Sequence, residues 1–225
     1  MYIMIGGAGL IGINLAQRLI DLGHTVALID VSASACRYAR EHLGAMVFEG
    51  SAVSTERLLE AGIRKADAVA AVLREDALNL AMVALAKHYG VSQILVRMRH
   101  RDFAEPYRIA GATWIINAVD LAVSTMVNAI EYPQIESMMH FEQDQIEVLK
   151  LPIPDHSQVV GRSLAQIAQD PNFPKGSLII GYQSHPHEDL AIPNGNTVLE
   201  GGSTVLLVTK PGAIHSMIDF LQGHD

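Results

Sequence analysis

The sequence predicts an α/β fold: a doubly wound parallel sheet followed by a small α+β domain. Three observations carry that reading. Short apolar runs alternate with amphipathic stretches as far as about Ile130, which is the pattern of βαβ units and a parallel sheet. A glycine-rich turn, GGAGLIG at residues 6–12, separates the first apolar run from the first amphipathic stretch. After "EYPQI" the texture changes, because Pro133 breaks a long apolar helix and short strands with polar turns follow.

Six strands are expected in the first part, at residues 2–5, 25–29, 45–48, 68–72, 93–97 and 114–116. That is the strand number of a Rossmann-like dinucleotide-binding sheet. Between the first two strands, Ile11, Leu15, Leu19 and Leu22 recur at helical spacing and are expected to face the sheet. Gln17, Arg18 and Asp21 then face water, and Gly23 supplies the stop. A helix at 121–130 is apolar around much of its circumference, as a helix covered by a second subunit is. The domain boundary is therefore placed to give residues 1–132 and 133–225. Beyond it the pattern predicts a strand at 146–151, a helix at 163–168 and strands at 177–182, 189–192 and 204–208. The turns "PNGN" and "EGG" separate the last of these, and an amphipathic helix at 213–221 closes the domain.

Bulk properties exclude several classes of function. With 225 residues, 49% hydrophobic and 18% charged, the chain can bury a full core in one large or two smaller domains. A formal net charge of -8 leaves no basic footprint for nucleic acid, so an anionic nucleotide has to be held locally by backbone donors. No run of 18 apolar residues and no secretory pattern at the start are found, so neither membrane spanning nor export is expected. The single cysteine, Cys36, cannot form an internal disulfide, which suits a reducing cytoplasm and excludes a cysteine-rich metal site.

The glycine run satisfies two patterns. From Gly7 it reads G-x-G-x-x-G, the dinucleotide fingerprint; from Gly6 it reads G-x-x-G-x-x-G, as in extended short-chain reductases and sugar epimerases. Phosphate binds at a helix N-terminus because unpaired amides and the helix dipole both favour negative charge there. In the first pattern Gly7 makes the tight turn, Gly9 lets the backbone approach phosphate, and Gly12 lets the helix pack on the first strand, with Ala8, Leu10 and Ile11 completing the loop. Asp30 ends the second strand eighteen residues after Gly12, where an acid hydrogen-bonds the adenosine ribose and repels a 2′-phosphate. NAD or another adenine nucleotide is thus expected in preference to NADP. The reductase reading requires a Tyr-x-x-x-Lys pair for proton transfer. The residues four positions after the six tyrosines are Gly6, His42, Gln93, Gly111, Glu136 and Pro186, and none is lysine. No catalytic residues are assigned; an NAD-dependent oxidoreductase of unrecognised type is the alternative, and a nucleotide-sensing adaptor of another transporter a third reading.

Several longer segments resemble the cytoplasmic gating subunits of Trk and Ktr potassium-uptake systems, in which a KTN (RCK-N) Rossmann domain precedes an RCK-C domain. They are "GGAGLIGINLAQRL", "VALIDVS", "FEGSAVSTERLLEAGIRKADAVAAVLREDALNL", "ILVRMRHRDF", "VVGRSLAQI" and "LAIPNGNTVLEGGSTVLLV". The resemblance implies a non-enzymatic, TrkA-like regulatory subunit, cytoplasmic and peripherally associated with the membrane. It implies a membrane-embedded potassium-translocating partner, a homo-oligomer of dimers assembled up to an octameric ring, and no nucleic-acid partner. It also implies a nucleotide contacted by Ser51 and Ala52 near the adenine, by Leu73 and by Arg97 at the end of the fifth strand. Ser51 stands where the family usually has aspartate and Leu73 where it usually has threonine. Leu10 replaces the arginine of ATP-responsive Ktr loops, so NAD(H) ranks first, ATP or ADP second, and cyclic di-AMP is the family's candidate ligand for the RCK-C domain.

Three polar clusters are read more plainly. "SHPHEDL" gathers His185, His187, Glu188 and Asp189, which suits a polar hairpin tip better than a metal site. Glu75 and Asp76 read as helix-start acids lining the nucleotide crevice. Arg99, His100 and Arg101 read as a solvated edge, with a partner-subunit interface as the other reading.

Overall fold

The computed structural model describes residues 1–141, 145–186 and 188–223. The chain divides into two units, Met1–Ala122 and Val123–Asp225. The first runs through β1 (Tyr2–Gly6), α1 (Leu10–Asp21), β2 (Thr25–Asp30), α2 (Ala33–His42), β3 (Met46–Glu49), α3 (Thr55–Glu60), β4 (Ala68–Ala71), α4 (Asp76–His88), β5 (Gln93–Met98), α5 (Ala104–Ala110) and β6 (Trp114–Asn117). α6 (Ala118–Glu131) follows, and the division falls within it.

The six strands pair in parallel in the order β3-β2-β1-β4-β5-β6. The chain winds outward from β1 to β3 and then returns to the other side of β1, so the switch in winding lies between β1 and β4. Side chains of a strand alternate between faces, and a parallel sheet is covered on both. Met4, Val69, Ala71, Ile94 and Val96 accordingly pack with Leu58 of α3, Met82, Val83 and Ala86 of α4 and Tyr107 of α5. Ile3, Ile5, Val26, Leu28, Ala70 and Val72 pack on the opposite face with Ala16 of α1 and Ala39 of α2.

The face that α1 turns inward matches the expected one at Leu15 and Leu19 but not at Ile11 and Leu22. Its buried residues are Gly12 and Ala16, flanked by Ile13, Leu15, Leu19 and Ile20, whereas Ile11 is exposed and Leu22, already past the last helical turn, is 73% exposed. Small residues at i and i+4 let the helix backbone come close to the sheet, which the larger apolar side chains alone would not permit. Gly23 adopts φ +81 and passes its amide to the carbonyl of Ile20, closing the helix as expected.

The second unit contains β7 (Ser137–Phe141), β8 (Ile146–Pro152), α7 (Leu164–Ala168), β9 (Leu178–Gln183), β10 (Thr204–Thr209) and α8 (Ile214–Gln222). Its sheet is antiparallel, in the order β7-β8-β10-β9. Leu149, Leu151, Val205 and Leu207 pack there against Met217, Phe220 and Leu221 of α8. Ser163 is the cap of α7 rather than its first residue and forms a reciprocal capping box with Gln166. Two expectations change. Residues 189–192 form no strand, only a single bridge from Ala191 to Tyr182, because Pro186 and Pro193 flank the segment and Ile192 is exposed. The strand β7 was not expected, since its SMMHF run follows a proline and lacks the β-branched residues that mark a strand.

Candidate functional site

The C-terminal edge of the parallel sheet at the β1/β4 switch is where open α/β sheets form a ligand crevice. The glycine turn lies on that edge, and each glycine has a separate physical reason to be there. Gly7 adopts φ +110, donates to the carbonyl of Ile29 at 2.8 Å, and would bring a Cβ to 3.0 Å from the carbonyl oxygen of Val72. A Cβ on Gly12 would overlap the carbonyl of Gly7, so only glycine lets α1 start this close to β1. Gly9, the N-cap of α1, has nothing within 4 Å of where its Cβ would be. The first intrahelical bond runs from Ile13 to Gly9 at 2.9 Å, leaving the amides of Leu10, Ile11 and Gly12 ahead of the ladder. The Leu10 side chain is 83% exposed.

This geometry separates the two glycine patterns. A Cβ on Gly6 would overlap Sδ of Met82 in the core, so Gly6 answers to α4 packing. The turn itself is shaped by Gly7 and Gly12, and Gly9 leaves open space in front of α1.

Asp30 joins the loops that follow β1, β2 and β3. Its Oδ2 accepts from the amide of Ala8 at 2.6 Å, its Oδ1 from the amide of Ser32 at 2.7 Å, and its carbonyl from the amide of Gly50 at 2.8 Å. A carboxylate oxygen has lone pairs for two partners, so each retains capacity for a ligand hydroxyl. Ser32 then caps α2 by accepting from Ala35. Ser51 forms the turn after β3: its carbonyl accepts from Ser54 at 3.0 Å and its hydroxyl from the amide of Val53 at 3.4 Å. Ala52 is buried beside it, and the Arg57 side chain lies against Gly50. Cys36 is buried beneath, its thiol on the carbonyl of Asp30 at 3.3 Å. Burial first, and the neighbouring Asp30 charge second, push that thiol up from its ordinary pKa, which leaves it protonated and unreactive.

Leu73 and Arg97 stand on the β4 and β5 side of the switch, linked by the buried side chain of Asn79. Its Oδ1 accepts from the amide of Leu73 at 2.8 Å, and its Nδ2 donates to the carbonyls of Leu73 at 3.1 Å and Arg97 at 3.0 Å. Nε of Arg97 is buried and finds no hydrogen-bond partner among the described residues. The sheet edge therefore carries the residues that the family resemblance and the glycine pattern single out: Gly7 to Gly12 and Asp30 on one side, Ser51 and Ala52 next to Asp30, and Leu73 and Arg97 across the switch.

Asp76 departs from its expected place. It is 4% exposed and turned inward, where its carboxylate accepts from the amides of Arg99 at 3.0 Å and His100 at 2.9 Å and from the Tyr107 hydroxyl at 2.8 Å. Burial raises its pKa, but those three donors outweigh burial and hold it below the ordinary carboxylate value. Burial and the bond to Asp76 push the Tyr107 hydroxyl well up. Glu75 is exposed and makes no capping bond. The run Arg99 to Arg101 is consequently a built turn: Asp76 holds two of its amides, the Arg99 guanidinium donates to the carbonyl of Arg74 at 3.1 Å, and Arg101 pairs with Asp120 at 2.8 Å.

Elsewhere, Glu188 closes a turn by accepting from the Ser184 hydroxyl, and its amide donates to the carbonyl of His185 at 3.0 Å. His187 lies outside the described residues. Among the described residues no three His, Cys, Asp or Glu side chains gather as metal ligands. Sequence reading gave Asn79 and Tyr107 no role of their own. The available signal was the spacing of Asp76 and Asn79, a polar pair at i and i+3 in the otherwise apolar start of α4.

Comparison with known proteins agrees with this architecture. The TrkA-N domain family matches residues 3–118 and the TrkA-C domain family residues 148–222. A Trk system potassium uptake protein TrkA homolog from Methanothermobacter thermautotrophicus is 28% identical over 214 residues, covering 95% of this chain and 96% of that protein. One from Pyrococcus abyssi is 28% identical over 224 residues, covering 96% of each. Among solved structures, the GsuK channel bound to NAD superposes over 98% of the chain with a TM-score of 0.67 at 18% identity, a likeness of fold. This chain spans 39% of that one. The Shewanella denitrificans Kef CTD in its AMP-bound form superposes over 58% of the chain with a TM-score of 0.51 at 26% identity.

Proposed function

The chain belongs to the TrkA family, a TrkA-N domain followed by a TrkA-C domain, and from that premise we propose that it is a nucleotide-sensing regulatory subunit of a potassium-uptake system. The observation that carries the reading is the glycine turn at the β1/β4 switch: free amides at the start of α1, open space at Gly9, and Asp30 hydrogen-bonded to the same turn through Ala8. Backbone donors and a helix N-terminus suit phosphate. Asp30 suits ribose hydroxyls and repels a 2′-phosphate. The buried, unpaired Nε of Arg97 suits a further acceptor group.

An adenine nucleotide fits these residues. NAD(H) is the first candidate because exposed Leu10 offers no donor to a terminal phosphate, and ATP or ADP is the second. When bound, the ligand supplies negative charge and ribose hydroxyls at the sheet edge; Gly7 to Gly12 and Asp30 bind and orient it, Ser51 and Ala52 border it, and Leu73 and Arg97 take its far part. Relatives named potassium uptake proteins, and the absence of a Tyr-x-x-x-Lys pair in this sequence, support regulation rather than catalysis.

Regulation then acts as a population shift. A nucleotide changes the balance between two arrangements of an assembly only by its difference in affinity for them, and the assembly transmits that change to a membrane-embedded potassium-translocating partner. Self-association is supported by α6, none of whose residues is buried, with Met126 65% and Ile130 77% exposed. No helix among the described residues is long and apolar enough to cross a membrane, so potassium passage is assigned to the partner. The test is co-reconstitution of the full chain with its potassium-translocating subunit in vesicles. Potassium flux that depends on both the chain and added nucleotide supports the proposal; flux unchanged by the chain contradicts it.

A further inference from the structure

We propose that Asn79 is the positioning residue for the far half of the crevice, fixing Arg97 to receive an acceptor oxygen that a ligand carries beyond its adenylate. The inference rests on the nucleotide reading above and deepens it. Asn79 is fully buried and so acts through its neighbours. Its side chain takes both the amide and the carbonyl of Leu73 and holds the carbonyl of Arg97, tying the end of β4 to the end of β5.

Three facts make Arg97 the recognising group of this half. The Leu73 side chain is apolar and its peptide is already committed to Asn79. The amide of Val72 is likewise committed, to the carbonyl of Gly6 at 2.9 Å. Nε of Arg97 remains, buried and without a partner among the described residues. A buried donor left unpaired is costly, so such a group near the carboxyl end of β5 points to a ligand acceptor. A distal phosphate and the second half of a dinucleotide both carry such oxygens, and AMP carries neither.

The arrangement yields a selective expectation. The adenylate-binding residues, Gly7 to Gly12 and Asp30, make none of the Asn79 bonds. Loss of the Asn79 side chain releases the Leu73 peptide and Arg97 together but breaks no hydrogen bond of Asp30 or of Gly7 to Gly12. AMP affinity should therefore persist while affinity for the longer ligand falls.

Calorimetric titration of the full chain with AMP, ADP and NADH, in wild type and Asn79→Leu, tests this. Wild type should bind ADP or NADH more tightly than AMP, and whichever it prefers names the source of the acceptor. Asn79→Leu should lose about tenfold in affinity for that ligand and stay within about twofold for AMP. Should Asn79→Leu fail to fold, Asn79→Asp keeps the size and the acceptor for the Leu73 amide but loses both donations, and the same selective loss is expected. Equal weakening of AMP and the longer ligand would mean a merely structural role, and unchanged affinity no role at all; either overturns the proposal. Wild type that binds AMP as tightly as ADP and NADH overturns it while leaving the nucleotide reading intact. Wild type that binds none of the three, nor NAD or ATP, removes the nucleotide reading itself.

Discussion

The amide of Ala8 donates to Oδ2 of Asp30 at 2.6 Å, so the acid that ends β2 is bonded to the glycine turn that ends β1 before any ligand arrives. Asp30 thus holds the site's shape as well as offering it chemistry. Asp30→Ala leaves the amides of Ala8 and Ser32 without their acceptor, and a loss of about 1–3 kcal/mol of stability is expected, with Asp30→Asn intermediate because one acceptor oxygen remains. Urea unfolding checks the order. An Asp30→Ala midpoint equal to wild type would show that these bonds do not hold the turn.

Gly9 and Gly12 are expected to respond differently to one added methyl group. Gly12→Ala puts a Cβ into the carbonyl of Gly7 and should lower the melting temperature strongly or prevent folding. Gly9→Ala has open space around its Cβ, so the fold should survive and only the approach of phosphate should suffer. Circular dichroism melts with a nucleotide titration distinguish them; the reverse order of stabilities would contradict the assigned roles.

Asp76 gives the first unit an acid sensitivity. Its carboxyl is held below the ordinary value in the folded state, so its stabilising contribution is present above an unfolded pKa of about 4 and is lost as pH falls through the folded value. Tyr107→Phe removes one of the three donors, which lessens the depression. The variant should be less stable at pH 7 and should lose less of its remaining stability on acidification than wild type does. Thermal melts from neutral pH to about pH 3 read the difference, and parallel curves would contradict it.

The exposed apolar residues of α6 are expected to mediate self-association. Met126→Glu and Ile130→Glu should shift sedimentation towards a smaller species without altering secondary structure. Unchanged sedimentation for the double variant would remove α6 from the interface.

Much of this architecture is legible in the sequence because its physical signals are local. Apolar runs at regular intervals give the parallel strands, and a glycine turn between strand and helix gives the edge proposed above to hold phosphate. Asp30 is legible because one strand end at a fixed distance from Gly12 defines it. The inward face of α1 is harder to read, since close approach to the sheet selects small Gly12 and Ala16 over the larger side chains that dominate a hydrophobic pattern. Asp76 and Asn79 are harder still. A polar residue in the first turn of a helix ordinarily faces water or the dipole, and here the partners lie far along the chain: Arg99 is 23 residues from Asp76, Tyr107 is 31, and Arg97 is 18 from Asn79. Such pairings are fixed by tertiary packing, which neither spacing nor composition records.

The most direct test of the central claim is a calorimetric and thermal-shift titration of wild type and Asp30→Ala with NADH, NAD, ATP and ADP. A ligand that binds the native state must raise the melting temperature in proportion to its occupancy. At least one of these nucleotides is expected to bind and stabilise wild type, NADH or NAD foremost, and Asp30→Ala to lose that response. No stabilisation of wild type by any of them would contradict a nucleotide-sensing crevice at the β1/β4 switch.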